Sequence, residues 1–310
     1  MQRVAIATER NDNIPLAVAT IIFTVLVLSL GDALIKFSSR NFVIWQIFVL
    51  RSLLVLPVLL VYMRLRSPEI LTIPPALGWA VLRSLLLVGM WVAYYVALPN
   101  LDLSIAAAAY YTLPIFIVLF SAILVGDKIS ILGWLAVILG FVGVLLILRP
   151  KAENFNLHAL LPLVSAVLYA LAMILTRTKC RAVNPVMLSV MLNCCFIVVG
   201  ALAAITIVIF MPEPREGFLL APWTQMASSE WLSISLMAIA ILVGSVGAAI
   251  AYQAGPSSVI GTFDFAYVGF ALLWGVIFFA EMPDVLSIFG MLLIVGAGGL
   301  SLRQSKARTT

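Results

Sequence analysis

Ten long apolar stretches run along this chain and fall into two consecutive sets of five. They lie near Ile14 to Lys36, Phe42 to Met63, Ala76 to Ala97, Leu101 to Val125, Ser130 to Leu148, Leu157 to Lys179, Pro185 to Phe210, Trp231 to Gln253, Pro256 to Ala280 and Val285 to Leu302. About 20 apolar residues at ~1.5 Å each cross a ~30 Å hydrocarbon layer, and the stretches are of that length. Barrel strands are excluded, because the runs are too long and do not alternate with period two. The expectation is an all-α membrane protein. Composition agrees, with 64% hydrophobic and 10% charged residues, where soluble domains run at about half and a quarter. Little chain is left for a separate soluble domain.

The first stretch is longer than the apolar core of a signal peptide and lacks a small-x-small cleavage site, so it is expected to remain as a helix. Cys180, Cys194 and Cys195 come without a CxxC pair or histidine spacing. They read as buried free thiols, and no metal or other cofactor is expected. With ten spans both termini lie on one side, and that side holds 11 basic residues against 5 on the other, Arg51 and Arg83 being assigned to spans. The positive-inside rule then puts both termini in the cytoplasm. The basic tail reads as a flank meeting membrane lipid, with no nucleic acid as partner.

The two sets of five align. Laying Asn13 on Asn156 also lays Lys36 on Lys179 and Asn41 on Asn184, and a second offset lays Ser104 on Ser258 and Asp127 on Glu281. The expected units are residues 1–150 and 151–310. Five is odd, so the second set enters the membrane from the opposite face. The result is ten transmembrane helices as two inverted five-helix repeats, the arrangement of secondary transporters that alternate access around a central site.

On the stretch Ser104 through Pro114 to Asp127, with Gly133, Gly140 and Gly143, and on its counterpart Ser258 to Glu281, with Gly290, Gly296, Gly298 and Gly299, the chain resembles the drug/metabolite transporter superfamily. The resemblance is to its EamA-type ten-helix exporters and covers nearly the whole chain. The tyrosine-rich fourth span looks like the aromatic-amino-acid exporter branch, the YddG type. The resemblance implies export of small organic metabolites, amino acids or related compounds, with aromatic ones favoured, across a bacterial inner membrane. Two positions depart from the family pattern: Asp127 stands for a usual Glu, and Val268 stands where proline is often found. The ninth span is therefore expected to be straighter than the fourth.

Charges at membrane depth are costly and point to function. Asp264 lies about 12 Å into the ninth span; it either binds substrate and carries a proton or is held by hydroxyls or a buried arginine. Arg51, at similar depth, suits a carboxylate bidentately. That carboxylate is the substrate's, or it belongs to an acid on a neighbouring helix. Pro114 frees the carbonyl of Tyr110 within the fourth span. Tyr110, Tyr111, Tyr169, Asn193, Phe263, Phe265 and Tyr267 are at comparable depth and could form an amphipathic pocket for a ring-bearing solute. Arg83 is expected to snorkel, and Asp32 with Lys36 to form an i,i+4 pair. Trp91, Tyr94, Tyr95 and Tyr252 are expected in the interfacial aromatic belt.

These residues point to a transporter of small molecules, with proton coupling open. The rivals are an intramembrane enzyme and a sensory or scaffolding membrane protein. Against the first, His158 lacks a partner acid or cysteine nearby, and HExxH and GxSxG motifs are missing. Against the second, the chain carries no soluble output domain. The chain holds no P-loop and no soluble stretch for one, which excludes ATP drive within it.

Overall fold

A computed structural model describes residues 12–38, 42–66, 76–97, 110–148, 160–211, 213–279 and 285–306. Ser104, Asn41, Asn156, His158 and Glu281, used in the sequence argument, lie outside the described residues, as does the side chain of Lys36. Among the described residues every regular element is helical. The α-helices of eight residues or more are α1 (Ile14–Ser38), α2 (Ile44–Arg66), α3 (Leu77–Ala97), α4 (Leu113–Phe120), α5 (Ile131–Leu148), α6 (Leu160–Thr178), α7 (Pro185–Phe210), α8 (Ser228–Ala254), α9 (Ser257–Asp264), α10 (Ala266–Phe279) and α11 (Val285–Lys306). In hydrocarbon each backbone N–H and C=O must be satisfied within the segment, and an apolar helix does this alone. Among the described residues seven helical stretches are long and apolar enough to cross a membrane: α1, α2, α3, α6, α7, α8 and the joined α9–α10 run. Shorter apolar stretches follow at Leu113–Val125, Ile131–Gly143 and Ile288–Ala297. This is a multi-pass membrane protein.

Exposed Leu, Ile, Val and Phe cover the outside of the bundle, while hydroxyls, amides and charges are inside it. Without a hydrophobic drive between helices in lipid, close packing and internal hydrogen bonds must hold them together. α1 packs on α8, α3 on α6, α2 on α7 and α5 on α11. The α2–α7 contact is aromatic, with Phe48 and Phe196 rings 4.7 Å apart. The α3–α6 contact is bonded by Ser165 Oγ, which donates to Met90 O at 2.9 Å. At one end of the bundle the segment between α7 and α8 is tied to α2: Gln46 donates to Thr224 O at 2.8 Å and accepts from Thr224 N at 3.0 Å. Trp45 Nε1 donates to Leu219 O at 2.9 Å beside it.

Turns fall within two of the apolar stretches. Tyr111 and Thr112 form a turn ahead of α4, and Pro114 sits in the first turn of α4, where its missing N–H costs nothing. α4 runs on into a π-helical turn, Ser121–Val125, closed by Gly126 at φ 80°, which glycine adopts without strain. The Ser121 hydroxyl donates to the Asp127 carboxylate, so Asp127 holds the end of this segment. The α5 N-terminus is capped by Ser130, whose Oγ accepts from Gly133 N at 3.2 Å. The ninth span is not the straighter one: Phe265 breaks it between α9 and α10, and Val268 N reaches back to Phe265 O at 3.1 Å. A break therefore forms at this level without proline.

Candidate functional site

The two interruptions face each other inside the bundle, and α4 packs against α9. The second offset of the repeat lays Tyr110 on Asp264 and Tyr111 on Phe265, so the turns occur at matched positions. Around them a continuous group of tyrosines is assembled from four helices and the turn before α4. Tyr110 meets Tyr94 of α3, Tyr111 and Tyr169 of α6 at ring-centroid distances of 5.2, 5.7 and 6.5 Å. Tyr111 continues to Tyr267 of α10 at 5.4 Å, and Tyr169 to Tyr252 of α8 at 6.5 Å. Most of these pairs are tilted or edge-to-face, as the ring quadrupole favours.

A carboxylate closes each arm of the group. Tyr252 OH donates to Asp264, and Tyr267 OH donates to Asp32. Asp32 is thus bonded within the tyrosine cluster and is not simply half of a surface pair with Lys36. Nearby, Trp274 Nε1 donates to Ser29 Oγ at 2.9 Å, one turn before Asp32 on α1. Tyr252 is fully buried, and Tyr94 and Tyr95 stack into the interior, so these three are not belt residues. The belt expectation failed because proximity to a helix end says nothing of which face a ring takes.

Arg51 is 2% exposed on α2 and enclosed by aromatic faces. Its guanidinium carbon lies 4.6 Å from the Phe196 ring centre, 5.1 Å from that of Phe48 and 6.0 Å from that of Trp91. Cation–π contact partly replaces the lost water. Nε and Nη2 have no hydrogen-bond partner among the described residues. Tyr95 stacks with Trp91 at 5.3 Å and touches Tyr94, which connects Arg51 to the tyrosine group. Asn193 lies fully buried on α7, three residues from Phe196, with Nδ2 donating to Ser189 O at 2.8 Å and Oδ1 unpartnered. Phe263 packs against the main core, and Phe265 is buried beside Tyr111 and Val268.

Of the expected site residues, Tyr110, Tyr111, Tyr169, Tyr267 and Asp264 come together in one cluster. Arg51 joins it through Trp91 and Tyr95, whereas Asn193 lies on α7 near the Arg51-facing Phe196 and Phe263 packs against the main core. Sequence reasoning missed Asp32 and Tyr252. The signal available was their partners: a phenol and a carboxylate at matching depth in different spans. Arg83 does not snorkel but is fully buried on α3. Among the described residues no group of three His, Cys, Asp or Glu could hold a metal. Cys180 is buried, Cys195 is half-buried and Cys194 is exposed, so the last departs from the expectation of a buried thiol.

An aromatic, carboxylate-bearing interior inside a lipid-facing bundle suits passage of a polar organic solute. Residues 15–149 match the EamA-like transporter family. The EamA match covers α1 to α5, including Asp32, Arg51, Tyr94 and the Tyr110–Tyr111 turn. Over most of its length the chain is also similar to the pseudopaline exporter CntI of Pseudomonas aeruginosa, at 25% identity over 87% of this chain and 89% of that one. It is similar to the riboflavin transporter of Rhizobium johnstonii, at 25% identity over 70% and 67% of the two chains. A third relative is the S-adenosylmethionine uptake transporter of Rickettsia bellii, at 23% identity over 70% and 69%. A solved crystal structure shares the fold with a TM-score of 0.76, covering 94% of this chain and 99% of the other at 20% identity. The similarities are to transporters of small molecules and not to enzymes.

Proposed function

We propose that this chain is a member of the drug/metabolite transporter superfamily, of the EamA type, and a secondary transporter that exports small organic metabolites by alternating access. The site proposed to bind substrate is formed by Arg51, Tyr110, Tyr111, Tyr169, Asn193, Phe263, Asp264 and Tyr267. The observation that carries the proposal is the tyrosine group itself. It joins α3, α6, α8, α10 and the turn before α4, and has a carboxylate at each arm, Asp264 buried and Asp32 half-buried, with the buried Arg51 guanidinium beside it. Amino acids, with aromatic side chains favoured, fit this chemistry: Arg51 suits the carboxylate, Asp264 the ammonium and the tyrosines a ring.

The packing supports ten helices arranged as two inverted repeats, 1–150 and 151–310. Exchanging α1 with α6, α2 with α7, α3 with α8, α4 with α9–α10 and α5 with α11 maps one set of contacts on another. The α1–α8 contact becomes α6–α3, α1–α10 becomes α6–α4 and α3–α7 becomes α8–α2, while α2–α7, α4–α9 and α5–α11 map on themselves. The EamA match ends at residue 149, beside the boundary between the halves. Rocking of the halves about this pseudo-two-fold would expose the tyrosine group to each side in turn. The basic asymmetry supports both termini in the cytoplasm of a bacterial inner membrane.

The test is flux in liposomes containing only this protein. Counterflow of labelled phenylalanine, lost on Arg51→Ala with the protein still folded in the membrane, is the expected result. Absence of flux for phenylalanine, tyrosine and tryptophan in both orientations would overturn the amino-acid assignment. An imposed pH gradient that drives uptake in the parent and not in Asp264→Asn would add proton coupling.

A further inference from the structure

The proposed site leaves one buried positive charge unused. Arg83, fully buried on α3, donates from Nε to Thr176 Oγ1 at 2.6 Å, and Thr176 in turn donates to Ala172 O at 2.8 Å. Nη1 and Nη2 are buried and have no hydrogen-bond partner among the described residues. A guanidinium stays charged and carries five N–H donors, so four of them are unused.

No carboxylate among the described residues pairs with it. The acid at this end of the bundle, Asp12, is taken by Arg177 at 2.8 Å and Arg181 at 2.6 Å. The other nearby groups are a thiol and a phenol. Burial holds the Cys180 thiol above its ordinary range, so it supplies no thiolate counter-charge. Tyr169 is a phenol, neutral near pH 7. An ion removed from water without a partner costs several kcal/mol, which an anion from outside the chain would offset.

The position is informative as well. Arg83, Met90 and Tyr94 share one face of α3, and the Tyr110 hydroxyl reaches Met90 Sδ at 4.0 Å. Arg83 thus lies on the tyrosine-bearing face of α3, about 16 Å below Tyr94 along the helix. Tyr169, on the same helix as Thr176, packs its ring against Tyr110 and Tyr252 of the tyrosine group. Arg177, which forms the ion pairs at the end of the bundle, is the residue after Thr176.

We infer that Arg83 is the centre of a second anion-binding site, between the ion-paired end of the bundle and the tyrosine group. It takes a monovalent anion on Nη1 and Nη2. A solute carboxylate and a small inorganic anion share this chemistry, and the first of these rests on the transport reading above. A carboxylate fits the two-pronged guanidinium and would be held here on its way to or from Arg51.

The test uses detergent-solubilised full-length protein carrying Arg51→Gln, so that the central arginine does not contribute. Its thermal unfolding midpoint is titrated with sodium phenylacetate and, separately, sodium chloride, at constant ionic strength set by a bulky sulfonate. A saturable rise is expected with phenylacetate. Adding Arg83→Gln should raise the half-saturating concentration roughly tenfold or more, the size of a lost charge-assisted hydrogen bond. Saturation by chloride alone, also lost on Arg83→Gln, would support the site and assign it to an inorganic anion. Titrations unchanged by Arg83→Gln, or no rise with either probe, would overturn the inference. If Arg83→Gln does not fold, Arg83→Lys keeps the charge and loses the fork: weakened phenylacetate binding supports the site, and unchanged titrations overturn it. Liposomes without flux but with the anion titration intact would sink the transport reading and leave this site standing.

Discussion

The Tyr252 hydroxyl donates to the Asp264 carboxylate across the turn that joins α8 to α9. Both groups are inside the bundle, with Asp264 5% exposed and Tyr252 not at all. The phenol is thus the group that keeps this carboxylate solvated where water is excluded. Tyr252→Phe removes the donor and leaves a buried acceptor unmet, so stability should fall by about 1–3 kcal/mol. Asp264→Asn removes the charge and keeps a polar partner for Tyr252, and its thermal midpoint should change less than that of Tyr252→Phe. Flux should be lost in Asp264→Asn. A variant with unchanged flux and pH response would make Asp264 a structural residue.

Arg51 separates two roles by one comparison. If it holds a solute carboxylate, Arg51→Lys keeps the charge, loses the fork and should raise the half-saturating substrate concentration by roughly tenfold. Arg51→Ala should abolish flux with protein still in the membrane. If Arg51 is instead the partner of Asp32, Arg51→Ala alone should reduce folded protein, and Asp32→Asn combined with it should restore it. The double variant, assayed for yield in membranes, decides between them.

The apolar helices, their exposed apolar sides and the interior placement of Asp264, Arg51 and Tyr110, Tyr111, Tyr169 and Tyr267 were readable because each rests on a local property: apolar length, or a costly group at depth. What was not readable rests on rotation about a helix axis. Tyr252, two residues from the end of α8, looked interfacial until its face was known. Asp32 and Lys36 suggested a pair because the i,i+4 rule sees only one helix. Arg83 had the length to snorkel, yet packing of α3 on α6 turns it toward Thr176. The break at Phe265 had no proline to announce it; its position could be read only by laying Asp264 on Tyr110.

Close packing between α5 and α11 gives a stability test with an internal control. A Cβ at Gly143 would lie 2.6 Å from the carbonyl oxygen of Gly290, and backbone cannot swing aside. Gly143→Ala should therefore push the helices apart and cost about 1–3 kcal/mol. A Cβ at Gly299 meets nothing within 4 Å, so Gly299→Ala should leave the thermal midpoint nearly unchanged. Equal effects from the two would mean that the α5–α11 contact is looser than described.

At the end of the bundle near Arg83 a connected set of bonds ties the residues just before α1 to α6, to the segment after it and to α8. Arg177 grips both carboxylate oxygens of Asp12 at 2.8 Å, and Arg181 adds a third contact at 2.6 Å. Arg177 also donates to Gln253 O at 3.2 Å, while Gln253 Nε2 donates to Cys180 O and Val183 O at 2.7 Å each. Asn13 N donates to Ala254 O at 2.8 Å on the neighbouring strand of contacts. Exposed ion pairs are individually weak, but two arginines sharing one carboxylate, one of them bidentate, form a network. If this network holds the end shut, removing Asp12 should open it, and buried Cys180 is a built-in reporter. In a background carrying Cys194→Ser and Cys195→Ser, Asp12→Ala should speed the reaction of Cys180 with a water-soluble maleimide roughly three- to tenfold. Asp12→Glu should stay close to the parent, since the charge and two acceptor oxygens are kept. Raised salt should speed the parent and leave Asp12→Ala unchanged, because screening acts only where the ion pairs exist. Equal labelling rates in the parent and Asp12→Ala would show that the apolar packing of α1 on α8, and not the ion pairs, keeps this end closed.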